Sequence, residues 1–276
     1  MANTFPKISI EKVYKLLKEG GVDTIDTGRI YGVSEEWIGK TGGGKRFTID
    51  SKTPGGLIPG SSTGETIPQH AKETVERLGV DKVDVYYIHD QLRGINTAYT
   101  AGHFKRFGLS NFTPADVQRI YDICKENGYP LPTVYQGNYS AVARKPEAEL
   151  IPLLLRKLGI ALYIYSPISG GLLTKTSTQL REREGGAMEP LYDGLYHKPS
   201  YHTALDLWAE AAAEAGCSKA DLAYRWVASD SALDAKYGDA IVFANFGNDC
   251  VAQTWVKIDE IWKVVEHDAP LDNFNK

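Results

Sequence analysis

Four residue types that can share acid–base work stand at or near the ends of short apolar runs. Asp26 closes the run 22–26, with Tyr31 just beyond it. Lys52 closes 46–52 and His89 closes 83–89. Runs of this kind read as strands, and neighbouring strand ends can deliver their side chains to one centre. A tyrosine is a poor acid near neutrality until a cation and hydrogen bonds make its anion easier to form. A buried lysine held by an aspartate can act as that cation, and a neutral histidine can orient a carbonyl. The combination points to carbonyl reduction. Each residue taken singly has a plainer reading: Lys52 as an exposed strand-end lysine, Tyr31 as a loop tyrosine, Asp26 as a helix cap, His89 as a core histidine. Four such coincidences are less economical than one site.

The surrounding words belong together. Ile25-Asp26-Thr27 followed by Tyr31-Gly32-Val33-Ser34-Glu35 resembles the aldo-keto reductase signature. So do 84–89 (DVYYIH), Gly108-Leu109-Ser110-Asn111 and 134–139 (VYQGNY). Tyr165-Ser166-Pro167 with 170–174 (GGLLT) continues the match, which covers roughly residues 10–245. The chain resembles the aflatoxin-aldehyde-reductase branch, shortened at its N-terminus and atypical over the adenosine-binding segment.

The resemblance implies roles. Tyr31 is the general acid that protonates the carbonyl oxygen as hydride arrives at carbon. Lys52 makes Tyr31 a better acid, Asp26 holds Lys52, and His89 bonds the substrate oxygen. Ser110, Asn111 and Gln136 match the nicotinamide carboxamide contacts, and Tyr165 matches the aromatic that stacks on the ring. Ser166 and residues 168–171, including Ile168, Gly170 and Gly171, match the loop over the pyrophosphate. The plainer readings here are core filling for Tyr165 and a helix cap for Ser110-Asn111, ahead of Phe112-Thr113-Pro114. Asn245 and Gly247 fall at the adenosine end, where the chain departs from the pattern. Residues 244–254 align in two registers, placing either Phe246 and Gly247 or Asn248 and Asp249 by the 2′-phosphate. Neither register supplies Arg or Lys, and Asp249 suits a free 2′-OH better than a phosphate. The cofactor expected is NADPH, with NADH admissible and little preference between them. Lys175 or Lys198 is the alternative source of a cation.

These residues need a scaffold. Apolar runs alternate with amphipathic patterns, which indicates repeated βα units and a parallel sheet. Strands are expected at 22–27, 46–51, 83–89, 106–110, 132–136, 160–165 and 240–245. Helices are expected at 10–17, 34–40, 66–78, a short piece before 106, 114–127, 146–157, 202–215, 218–228 and 250–266. Ser62 or Thr63 suits the approach to the third helix. A loop of more than 30 residues, 169–201, carries His197, with His202 just past its end, and is either solvated or part of the substrate mouth. The fold expected is a single α/β domain over 1–276, a (β/α)8 TIM-type barrel. Seven strands are counted, so the barrel is incomplete at its first strand unless residues 3–8 substitute, which Pro6 disfavours in a central position. Between His89 and Gly108 the chain is several residues shorter than the family pattern.

Composition narrows the function classes. The 276 residues are 42% hydrophobic with a net charge of −4, which gives a sizeable core and no basic footprint for nucleic acid. No apolar run is long enough to suggest a membrane span. Three cysteines, Cys124, Cys217 and Cys250, lack metal spacing and read as reduced thiols of a cytoplasmic protein. Gly42-Gly43-Gly44-Lys45 lacks Walker spacing and reads as a turn. Trp37, Trp208, Trp226, Trp255 and Trp262 fall in helical patterns and read as core. The expected substrate is a small carbonyl compound, hydrophobic or aromatic, because aromatic residues crowd the loops that shape the pocket. The alternatives are an isomerase or cyclase without net redox, and a non-enzymatic binding subunit. Loss of nicotinamide binding with a retained fold would favour either.

Overall fold

In the computed structural model, the described residues are 10–55, 63–88, 92–182, 190–242 and 261–270. The chain divides into two compact units, Met1–Leu109 with Ile120–Pro132, and Ser110–Arg119 with Thr133–Lys276. Residues 1–9, His89 and residues 243–260 lie outside the described residues, and with them the substitute first strand, Asn245, Gly247 and the start of the last helix.

The first unit alternates helix and strand: α1 (Ile10–Glu19), β1 (Thr24–Asp26), α2 (Ser34–Lys40), β2 (Thr48–Lys52), α3 (Thr66–Leu78), β3 (Val83–Ile88), α4 (Leu92–Thr100) and β4 (Phe104–Ser110). The strands are parallel and pair in chain order. β3 is buried from Val85 to Ile88, as a parallel strand covered on both faces should be. α3 buries Ile67, Ala71, Val75 and Leu78, one stripe at helical spacing. Just ahead of it, the Thr63 hydroxyl accepts from the Thr66 amide at 3.1 Å. Gly42–Lys45 is a tight turn, as expected, and its constraint is packing. A Cβ on Gly43 would lie 2.4 Å from the Tyr14 hydroxyl. One expectation fails here. Trp37 is 59% exposed on α2, whereas Trp208 and Trp226 are fully buried.

The second unit holds β5 (Pro132–Asn138), β6 (Ala161–Tyr165) and β7 (Ala240–Ile241), also parallel and in chain order. α5 (Pro114–Asn127) opens on its proline, and the division between the units falls within it. The single helix expected at 146–157 is instead a short turn at Lys145–Glu147, a wide π-type turn at Leu150–Leu155 and its continuation α6, Arg156–Leu158. Pro146 and Pro152 lack the N–H that a regular helix needs, and the wider turn accommodates that loss.

Among the described residues, the expected loop at 169–201 is largely helical. A tight turn at Ser169–Thr174 leads to α7 (Ser177–Glu182), and α8 (Pro190–Tyr196) precedes α9 (Pro199–Glu214). Segments this short carry little periodic signal. They are fixed by burial of Leu180, Leu195 and Tyr196. His197 and His202 therefore flank a helix start. His197 meets Asp193 at 3.1 Å, and the two rings are 5.7 Å apart. α10 (Lys219–Ser229) starts with a capping box between Ser218 and Asp221, as that sequence favours. Asp239 joins α6 to the strands, accepting from Arg156 Nη1 at 3.0 Å and from the Leu162 amide at 2.7 Å.

Among the described residues, seven parallel strands alternate with helices. The fold is α/β of the (β/α)8 type, with one strand fewer than a full barrel among those residues. No helix among them is long and apolar enough to cross a membrane.

Candidate active site

Parallel pairing sets the first cluster. Ile25 and Asp26 on β1 stand opposite Ile49 and Asp50 on β2. Alternation along β2 sends Ser51 one way and Asp50 and Lys52 the other. The Ser51 hydroxyl bonds the buried Glu35 carboxylate at 2.7 Å, and Thr74 donates to the same oxygen at 2.9 Å. Lys52 turns towards Asp26. Its Nζ lies 2.8 and 2.6 Å from the two carboxylate oxygens and 2.8 Å from the Thr27 carbonyl. Three acceptors take the three ammonium hydrogens. The side chains of Lys52 and Asp26 are 4% and 9% exposed, so Asp26 is a buried counter-ion and not a helix cap.

Tyr31 joins this pair. Lys52 Nζ sits 5.1 Å from the Tyr31 ring centre and 5.5 Å from that of Tyr87, within the range of cation–π attraction. Tyr31 is 48% exposed, so a buried cation stands behind an aromatic side chain that is half open to solvent. Gly28 permits the approach. A Cβ there would come within 2.6 Å of Lys52 Cγ. Three of the four expected residues thus come together, and His89 lies outside the described residues.

A fifth group escaped the sequence reading. Asp50 is buried on the face of β2 that carries Lys52 and accepts the Val85 amide at 3.0 Å. Burial pushes its carboxyl up to about 7; the Val85 amide and Arg106 pull it down, and Asp26 and Asp84 push it further up. The clue was available: an aspartate two residues before a candidate lysine on a strand shares its face. The folded protein therefore holds a proton on Asp50 where the unfolded chain has lost it. The sign follows: this contribution to stability is present below about pH 4 and is lost as pH rises towards about 7. It amounts to roughly 4 kcal/mol at most. Asp50→Asn keeps an acceptor for Val85 and should remove that part of the slope. Urea titrations of both proteins from pH 4 to 7.5 test this, and identical slopes would contradict it.

The second cluster belongs to the second unit. Ser110 and Gln136 are buried at the ends of β4 and β5. Asn111 takes a left-handed conformation, φ 60°. Its amide oxygen accepts from the Tyr165 hydroxyl at 2.7 Å, and its nitrogen donates to the Ser110 hydroxyl at 3.2 Å. The alternative in which Asn111 caps α5 is set aside, because Thr113 accepts the Asp116 amide in that role. Asn138 pairs with Tyr165 in register, so Tyr165 ends β6 beside the end of β5. The chain then turns sharply. Ser166, Ser169, Gly170 and Gly171 all have positive φ, at 58°, 52°, 64° and 93°. Two serines in that region are strained, and such strain gathers at ligand-holding turns. The Ser169 hydroxyl is fixed by Ser140 at 2.7 Å. Ile168 accepts the Gly171 amide at 3.1 Å, closing the turn. A buried serine and two side-chain amides supply both donors and acceptors, as a carboxamide requires.

The sequence model of the Aldo/keto reductase family matches residues 3–245. The chain belongs to that family. It is 33% identical over 284 residues to the oxidoreductase sirO of Leptosphaeria maculans, spanning 92% of this chain and 86% of that protein. It is 30% identical over 299 residues to human aldo-keto reductase family 7 member A3, with 94% and 90% covered. Against aflatoxin B1 aldehyde reductase member 2 of Rattus norvegicus the identity is 29% over 292 residues, with 91% and 79% covered. Like its family, this aldo-keto reductase is an oxidoreductase that reduces a small carbonyl compound with a nicotinamide cofactor. Nothing favours the isomerase, cyclase or binding-subunit alternatives.

Proposed function

We propose that Tyr31 is the general acid of this reductase, with Lys52 and Asp26 stabilising the phenolate it leaves and His89 orienting the carbonyl. The observation that carries this is the buried Lys52–Asp26 pair directly behind the exposed Tyr31 ring. An ammonium in a site of low dielectric stabilises an adjacent developing anion far more than one in water does. Ser110, Asn111 and Gln136 hold the carboxamide, Tyr165 stacks on the ring, and Ser166, Ile168, Gly170 and Gly171 take the pyrophosphate. Asn245 and Gly247 meet the adenosine end. A reduced nicotinamide so held supplies the hydride.

The substrate is a hydrophobic or aromatic aldehyde or ketone. Ile30 and Val33 flank Tyr31 and are exposed, and Trp37 lies one helical turn beyond Val33. Relatives named as aflatoxin B1 aldehyde reductases support an aldehyde. The protein works as a single cytoplasmic domain, a reading supported by its few, widely spaced cysteines, of which Cys124 and Cys217 are free thiols.

The cofactor is NADPH, with a preference over NADH below about tenfold, a difference of ~1.4 kcal/mol. Residues 244–254 carry no cation. Lys198 is engaged elsewhere, its Nζ donating to the Asp268 carbonyl. Calorimetric titration with NADPH and NADH at one ionic strength tests both points. Micromolar binding of either supports the reading, and no binding of either to folded protein defeats it. A hundredfold preference for NADPH would reveal a phosphate ligand elsewhere, with Lys175 the first residue to replace.

A further inference from the structure

The turn at Ser166–Gly171 is closed by a side chain from α8. The Tyr192 hydroxyl lies 2.7 Å from the Ser166 hydroxyl. A Cβ on Gly170 would lie 2.4 Å from both Cγ and Cδ1 of Tyr192 and 2.6 Å from Cδ2. Three ring atoms at nearly equal distance mean that the ring lies face-on against the glycine. Tyr192 is also held from behind. Its ring stacks on that of Tyr196 at 6.3 Å and 10°. Tyr196 is fully buried, and its hydroxyl accepts from Asn138 at 2.9 Å. Tyr201 meets Tyr196 edge-on at 5.3 Å. Tyr192 is thus the outer end of an anchored aromatic column, and not a solvated loop side chain.

Two hydroxyls at hydrogen-bond distance, one of them on a residue held in a left-handed conformation, make a compact donor pair. Each can rotate its hydrogen outward, and an anionic oxygen placed between them receives two charge-assisted bonds. We propose that Tyr192 is a further cofactor-binding residue, its hydroxyl and that of Ser166 jointly receiving a pyrophosphate oxygen of the dinucleotide while its ring fixes the Gly170 turn. This rests on the reading that Ser166–Gly171 takes the pyrophosphate. In the sequence Tyr192 is one of several aromatic residues in a stretch without periodic pattern, so spacing alone does not single it out for the cofactor.

The test is a double-mutant cycle on the dissociation constant for NADP+, using the full chain, Ser166→Ala, Tyr192→Phe and the double variant. Tyr192→Phe keeps the ring on Gly170 and removes only the hydroxyl, and a thermal melt of each variant confirms folding. Each single change should weaken binding by about tenfold, the scale of one hydrogen bond to a charged group. If the hydroxyls act as a pair, the double variant should lose much less than the product of the two. Weakening by Ser166→Ala with unchanged or tighter binding in Tyr192→Phe would overturn the assignment of Tyr192 and leave the turn's role intact. Unchanged binding in both would overturn the reading of the turn itself. Strictly multiplicative losses would show that the two hydroxyls act apart, and the donor pair would fall.

Discussion

Replacing Tyr31 by phenylalanine should lower kcat/KM for carbonyl reduction by ~10²–10⁴-fold, the usual consequence of losing a general acid. The ring would still cover Lys52 Nζ, which sits 5.1 Å from its centre. Tyr31 is 48% exposed, so stability should change by less than ~0.5 kcal/mol. A large fall in turnover with an unchanged denaturant midpoint is therefore the expected pattern. Wild-type turnover in the folded variant would remove Tyr31 from the role of acid. A fall accompanied by unfolding would show that the side chain is structural.

Lys52→Met should damage both stability and activity. The methionine stem fills the space beneath Gly28, but the cation bound by both Asp26 oxygens is gone. Removing one partner of a buried pair costs about 3–5 kcal/mol, because the other charge is left uncompensated. Activity should fall about as far as in Tyr31→Phe, since the phenolate then forms without its stabilising cation. The double variant Lys52→Met with Asp26→Asn separates the two effects. It should recover much of the stability and none of the activity. Recovered activity would mean that the ammonium contributes only to folding.

Much of this centre was legible in the sequence. Parallel strands buried on both faces read as apolar runs, so the ends of β1 and β2, with Asp26 and Lys52, fall almost where the runs stop. Tyr31 follows from motif spacing, and the structure adds its exposure and its distance from Lys52. Asp50 was overlooked, although period-two alternation puts it on the Lys52 face. What was not legible is structure maintained by long-range packing. α7 and α8 are too short to show a period and are held by Leu180, Leu195 and Tyr196. Pro152 turned an expected helix into a wider one. The exposure of Trp37 reverses the usual core reading, because the burial of a helix face is decided by what packs on it.

The most direct test of the central claim follows the hydride. The protein is mixed with a para-substituted aromatic aldehyde and NADPH carrying deuterium at the transferable position of the nicotinamide ring, and the product is examined by mass spectrometry and NMR. One deuterium is expected on the carbinol carbon of the alcohol, formed in equal amount with NADP+, with a near loss of that product in Tyr31→Phe. Folded protein that yields no deuterated alcohol with NADPH or NADH, across several aromatic and aliphatic aldehydes, would contradict it.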